Sequence, residues 1–263
     1  GSVPIAWACG KYFDADPDGY RVLFPLTGLV AASFAAGYLR LPRRSGESRA
    51  LGQSFGLFSE FTVLRRNPRF AAVMGVLFIG LMGEKIGLPV LPIYFADVLD
   101  LKYAEVATAV GIFGPILAVA GYCFWGRQFR RVSPVSILAA CVTLKAIRPV
   151  LWAIAATRPN PLPYVVIGEM AFRFFIAGLE MGVVLAVLDM SGPTDAPAYM
   201  GIHYILLGVR GVLGPVLGTF LIKAGVPVES IYWVIAAVVG AGGLALIVLA
   251  RYDRHSSART VNS

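Results

Sequence analysis

The chain has 263 residues, of which 57% are hydrophobic and only 14% charged, and it carries a formal net charge of +8. A water-soluble domain of this length is about half apolar and about a quarter charged, so the composition excludes an ordinary soluble domain. The basic balance does not imply a nucleic-acid partner, because the arginines follow the loops of one membrane side.

Apolar runs of about twenty residues are long enough to cross a hydrocarbon core. They predict seven full spans, at 22–39, 71–95, 105–125, 134–157, 164–189, 199–222 and 230–250, in an all-α polytopic membrane protein. Ahead of the first lies an apolar stump, Gly1 to about Phe13, too short to cross. It lacks the basic start and cleavage pattern of a signal peptide. The turn "DADPDG" at 14–19 leads into the first span. Residues 40–70 then form a long Arg- and Ser-rich linker containing "LGQSFGLFSEFTVL". The apolar spacing of that stretch fits an amphipathic helix lying on the inner membrane surface, and equally a solvated linker helix.

The second span, "VLFIGLMGEKIGLPVLPIYF" at 76–95, carries Glu84 and Lys85 side by side near its middle. An ionisable group at a helix centre costs about 2.5–3.5 kcal/mol to insert and nearly always faces a bundle interior or wet cavity. Neighbours on a helix point about 100° apart, so the two do not form an ion pair with each other. Gly80, Gly83 and Gly87 share the face of Glu84, a strip that permits close helix approach or leaves room for a solute. Pro89 and Pro92 loosen the helix beyond the charges. Two roles stay open for Glu84: a proton-carrying acid, or the counter-ion of a basic residue on another helix, with Arg173 and Lys145 the candidates.

Later spans repeat the pattern. Lys145 and Arg148 are separated by about 60° on one helix, and Glu169, Arg173 and Glu180 lie within about 40° on the next. Glu169 and Arg173 have the spacing of a direct ion pair. His203 and Arg210, seven apart, share a face of the sixth span. Three consecutive helices with polar stripes fit the lining of a common cavity, though buried pairs that only hold helices in register are the competing account. Tyr20, Trp125, Tyr164 and Trp233 near span ends read as interface anchors.

The cations set the topology. Arg40, Arg43, Arg44, Arg49, Arg65, Arg66 and Arg69 lie in the long linker, Arg127, Arg130 and Arg131 in one short turn, and Arg251, Arg254 and Arg259 in the tail 251–263. If spans alternate, all fall on one side, against Lys11, Arg21, Lys102, Arg158 and Lys223 on the other. This bias places the linker and the C-terminus in the cytoplasm, and the protein in the inner (cytoplasmic) membrane.

Other chemistries are not supported. Cys9, Cys123 and Cys141 show no metal or redox spacing, and two histidines, His203 and His255, provide no zinc cluster. "GVRGVLGPVLG" at 208–218 lacks the Gly-Lys-Ser/Thr of a phosphate loop. No catalytic triad presents itself, so the expectation is no enzyme and no cofactor.

A faint internal echo sets "GSVPIAWACGKYFDADPDGYRVL" against "GPVLGTFLIKAGVPVESIYWVI" from Gly214, pairing Asp16 with Glu229 and Tyr20 with Trp233. Parallel repeats of a six-span unit mark one class of transporter. "VLRRNPRFAAVMGVLF" at 63–78, the turn "FWGRQFRRVSPV" at 124–135 and "GVRGVLGPVLG" together resemble the major facilitator superfamily, at its central loop and seventh helix, its basic turn after the eighth helix, and its eleventh helix. In the turn Gly126, Arg127, Arg130 and Arg131 fit a cytoplasmic gating motif, while Phe129 or Arg130 stands where the family pattern has Asp.

The resemblance implies a division of the chain. Residues 1–39 would be the end of a fifth helix and the sixth helix of an N-terminal bundle, 40–70 a cytoplasmic linker, and 71–250 a six-helix C-terminal bundle. The rest of the N-terminal bundle would come from the same or another chain. The implied function is secondary active transport of a small solute by alternating access. The excess of embedded cations tilts the solute towards an anionic or acid-bearing compound, and Glu84 or the Glu169–Arg173 pair towards proton coupling. The alternative is a truncated or split half that does not transport and serves as a scaffold or docking partner.

Overall fold

The computed structural model describes residues 8–9, 11–12, 14–38 and 61–261, and every element among them is helical. In chain order these are α1 (Tyr20–Tyr38), a short α2 (Thr62–Arg66), α3 (Pro68–Ile86), α4 (Leu91–Val98), α5 (Tyr103–Gln128), α6 (Pro134–Ala155), α7 (Leu162–Gly192), α8 (Asp195–Lys223) and α9 (Val228–Val261). Most of "LGQSFGLFSEFTVL" lies outside the described residues, as does the greater part of the linker.

Among the described residues, five helices are long and apolar enough to cross a membrane: α5, α6, α7, α8 and the Val228–Tyr252 part of α9. The pair α3–α4 makes a sixth when taken together, bent by 47°. The seven expected spans are thus six among the described residues. The first expected span coincides with α1, a 19-residue helix that is not one of the six. The last helix runs on through Val261, so the described part of the tail continues α9 beyond the apolar stretch Val228–Tyr252.

The breaks have chemical causes. Pro89 and Pro92 cannot donate to the preceding turn, and the chain between α3 and α4 closes instead through the Val90 and Leu91 amides onto the Gly87 carbonyl. In α5 a π-helical segment, Ala109–Phe113, runs up to Pro115, whose missing N–H the wider turn accommodates. In α6 the helix is interrupted at Ala146, and Pro149 leaves the Lys145 carbonyl without its usual helical donor. Between α7 and α8 the chain turns at Gly192, with φ 70° and ψ 174°, a backbone state open to glycine alone.

Packing separates into two apolar clusters. One gathers Phe70, Met74, Leu77, Leu138, Cys141, Ile202 and Leu246. The other gathers Ile86, Val90, Tyr94, Trp152, Val165, Ile231 and Tyr232. Along α3, α6 and α7 the sequence passes from one cluster to the other across Glu84, Lys145 and Glu169. The buried charges therefore form a layer between two dry cores, and Lys145, Glu169 and Arg210 are the buried charged residues of the described chain.

Helix α9 packs on α3 and α6, and α5 packs on α7. At the end that carries the basic turn, Asn67 caps α3 by accepting the Phe70 amide at 3.0 Å. Its side-chain amide also donates to the Met190 carbonyl at 3.0 Å, fastening α3 to the end of α7. At the other end, Asp14 accepts the Ala104 amide at 3.2 Å and ties the stretch before α1 to the start of α5.

Candidate functional site

The charged layer is organised by two linked networks. Lys145 of α6 places Nζ 2.5 Å from Glu84 Oε1 of α3, with side-chain exposures of 0% and 16%. Of the two partners expected for Glu84, the structure selects Lys145. In the second network Arg173 donates from Nε to Glu169 Oε1 at 2.7 Å, the i,i+4 pair expected on α7. Arg148 of α6 reaches the other oxygen of Glu169 at 3.5 Å. Glu169 thus sits between two guanidiniums.

Phe172 joins the networks. The Arg148 guanidinium lies 3.5 Å from its ring centroid and 4.9 Å from that of Trp152, while Lys145 Nζ lies 4.8 Å from Phe172. Aromatic faces stabilise cations through their quadrupole, more strongly away from water. Arg148 is held between two rings and a carboxylate.

Two cavities open onto this layer. The first, the His203 cavity, has a volume of about 460 Å³ and is bordered by Glu84, Lys85, Lys145, Glu180, His203 and Arg210. That size falls within the roughly 300–1,000 Å³ of small-molecule sites. The second, the Arg148 cavity, has about 140 Å³ and is bordered by Glu84, Arg148, Glu169, Arg173 and Tyr232, with apolar side chains completing it.

The polar candidates are therefore divided between two spaces instead of lining one. Glu169 and Arg173 border the small cavity, whereas Glu180 on the same helix borders the large one and accepts a hydrogen bond from the Tyr122 hydroxyl of α5. Lys145 and Arg148, one turn apart, face different cavities. His203 and Arg210 do share one, and Arg210, only 3% exposed, donates from Nη1 to the Leu77 carbonyl at 2.8 Å.

The glycine strip beside Glu84 serves helix approach. A Cβ on Gly80 would meet Gly242 at 3.0 Å, and one on Gly83 would meet the Ile235 carbonyl at 3.1 Å. Lys85 borders the large cavity while its backbone abuts Gly214 of α8.

At the basic turn, Gly126 ends close to Met181, Arg127 donates to the Cys123 carbonyl at 3.4 Å, and Arg130 and Arg131 are exposed. One interface anchor is corrected. Trp125 is buried in the first core, with Nε1 donating to the Phe174 carbonyl at 3.0 Å, because α5 turns this ring towards α7. Phe172, Trp152, Tyr122 and Tyr232 belong to the site, yet sequence reasoning missed them. Isolated aromatics in apolar runs have no periodicity of their own, and only the adjacency of Phe172 to Arg173 was a signal.

A family model described as Major Facilitator Superfamily matches residues 77–263, from within α3 to the last residue. The chain belongs to the major facilitator superfamily. The matched stretch contains both charge networks and both cavities. Membership makes this a multi-pass membrane protein of a transporter family, whose members are transporters rather than enzymes. Neither a curated protein nor a solved structure matches the chain.

Proposed function

We propose that the protein is a secondary active transporter of the major facilitator superfamily that moves a small anionic or acid-bearing solute by alternating access, with Glu84 carrying the coupled proton. The observation that supports it is the buried Glu84–Lys145 pair on the wall of a cavity of solute size. Around that cavity stand Lys85, Lys145 and Arg210 against Glu84 and Glu180, an excess of positive charge suited to an anion. Isolated buried charges are costly, so an ion pair here persists only while each partner compensates the other. An anion that draws Lys145 towards itself leaves Glu84 uncompensated, and an uncompensated carboxylate in a low-dielectric site takes up a proton. Solute and proton are thereby bound together.

In this reading α3–α9 form the six-span C-terminal bundle, with residues 40–70 as the cytoplasmic linker. Helix α1 is the sixth helix of an N-terminal bundle and crosses as a seventh span. The C-terminus lies in the cytoplasm and the membrane is the inner one. The solute site lies between this bundle and a second bundle from the same or another chain, which rocks against it.

The test is uptake into proteoliposomes. The product of the complete reading frame is reconstituted and offered a panel of radiolabelled mono- and dicarboxylates under an imposed proton gradient. The expected result is gradient-driven uptake of at least one, abolished in Glu84→Gln protein that is less stable but still elutes as a folded species in gel filtration. Uptake that survives Glu84→Gln unchanged would sink the coupling role, and absence of any uptake would favour a scaffolding half.

A further inference from the structure

Among the described residues, Glu84 is the only one that borders both cavities. From the His203 cavity it meets Lys145 of α6, with Lys85, Glu180, His203 and Arg210 around the same space. From the Arg148 cavity it faces Arg148 of α6, Glu169 and Arg173 of α7 and Tyr232 of α9. The acid is the partition between the two.

At about 140 Å³ the Arg148 cavity is far smaller than the His203 cavity and lies below the roughly 300–1,000 Å³ usual for small-molecule sites. At about 30 Å³ a molecule it holds about four to five waters. It also supplies the two to four polar partners that a buried water requires. Tyr232 is the telling one. It is only 3% exposed, it lines this cavity, and its hydroxyl has no hydrogen-bond partner among the described residues. Buried hydroxyls are rarely left orphaned, and water is the usual remedy.

We infer that the Arg148 cavity is a water chamber that brings protons to Glu84 by a route separate from the solute's, with the Tyr232 hydroxyl anchoring the chain of waters. The inference rests on Glu84 being the proton carrier proposed above. A water beside Glu84 gives a proton to the carboxylate and recovers one from the next water. At each step one O–H bond breaks and one forms, and the net result is one proton moved from bulk water to Glu84. Glu169, set between Arg148 and Arg173, offsets their charge along this path. A separate route has a purpose: a solute filling the His203 cavity would otherwise seal Glu84 from water when it must be protonated.

The test needs no solute. The product of the complete reading frame, in lipid nanodiscs, is followed by time-resolved infrared spectroscopy after a rapid pH jump, and the Glu84 carboxyl band is identified as the one missing in Glu84→Gln. Leu88→Trp plugs the Arg148 cavity at a residue 50% exposed, and Val184→Trp plugs the His203 cavity at one 43% exposed. Val184→Trp alone is expected to leave protonation unchanged. Adding Leu88→Trp or Tyr232→Phe to it, so that the His203 cavity offers no second route, is expected to slow protonation about tenfold or more, as for a site closed off from solvent. Should the variant with Leu88→Trp misfold, Tyr232→Phe, which removes one oxygen, decides. Slowing by Val184→Trp alone, or a rate indifferent to adding either Leu88→Trp or Tyr232→Phe, overturns the chamber while proton coupling stands. If Glu84→Gln removes no band at any pH, Glu84 takes no proton, and the coupling reading falls together with the chamber.

Discussion

At the scale of single residues, the Glu84–Lys145 pair shows how burial changes what an ion pair is worth. Lys145 is fully buried and its ammonium lies 2.5 Å from the carboxylate, so each charge depends on the other for compensation. Truncating one partner is expected to cost about 3–5 kcal/mol, because the survivor is a buried unpaired charge. Lys145→Met should therefore lower thermal stability in detergent sharply, while Glu84→Gln/Lys145→Met recovers most of the loss. If the double variant is no better than the single, the pair is not the unit described here. The contrast is Arg69–Asp189, 3.9 Å apart with both side chains about half exposed. Asp189→Asn should change stability by less than about 1 kcal/mol in the same assay, since water already screens the pair. That a cation on another helix was one of two roles open to Glu84 was legible in the sequence. The choice of Lys145 over Arg173 was not, because it depends on how α3 and α6 stand against each other.

At the scale of elements, the bend between α3 and α4 is seated on α8. A Cβ on Gly214 would fall on the Lys85 Cβ, and one on Gly218 on the Ile86 carbonyl, whereas a Cβ on Gly211 would meet nothing within 4 Å. Overpacking such a contact costs about 1–3 kcal/mol. Gly214→Val should accordingly lower the melting temperature and broaden the gel-filtration profile, and Gly211→Ala should do neither. Equal effects of the two would show that α8 does not clamp the bend. The prolines announced the bend, since a missing N–H is a local fact. The glycines of "GVRGVLGPVLG" read alike in the sequence, and which of them meets α3 was settled by the rotation of α8.

For the whole molecule, the expected sidedness can be read by cysteine labelling in a background with Cys9, Cys123 and Cys141 replaced by Ala. A cysteine at Ser133, in the basic turn, should react with a membrane-impermeant maleimide only after cells are permeabilised. One at Asn160, in the opposite turn, should react in intact cells. The reverse pattern would invert the bundle and with it the direction assigned to both cavities. The same assay at Asp16, before α1, tests whether that helix crosses: reaction in intact cells is expected if it does.

Helices, their approximate limits and the presence of polar stripes followed from the sequence alone, because length, hydropathy and a period of 3.6 residues are properties of the chain itself. The family, too, was visible in short motifs, and the match over residues 77–263 agrees with them. Only the tertiary structure decided that the stripes line two cavities, that Lys145 and Arg148 part company, and that Tyr232 completes the smaller space. The reason is physical. A helix places its side chains by angle around its own axis, but what each one meets depends on the rotation and tilt of its neighbours, which are set by all the contacts at once.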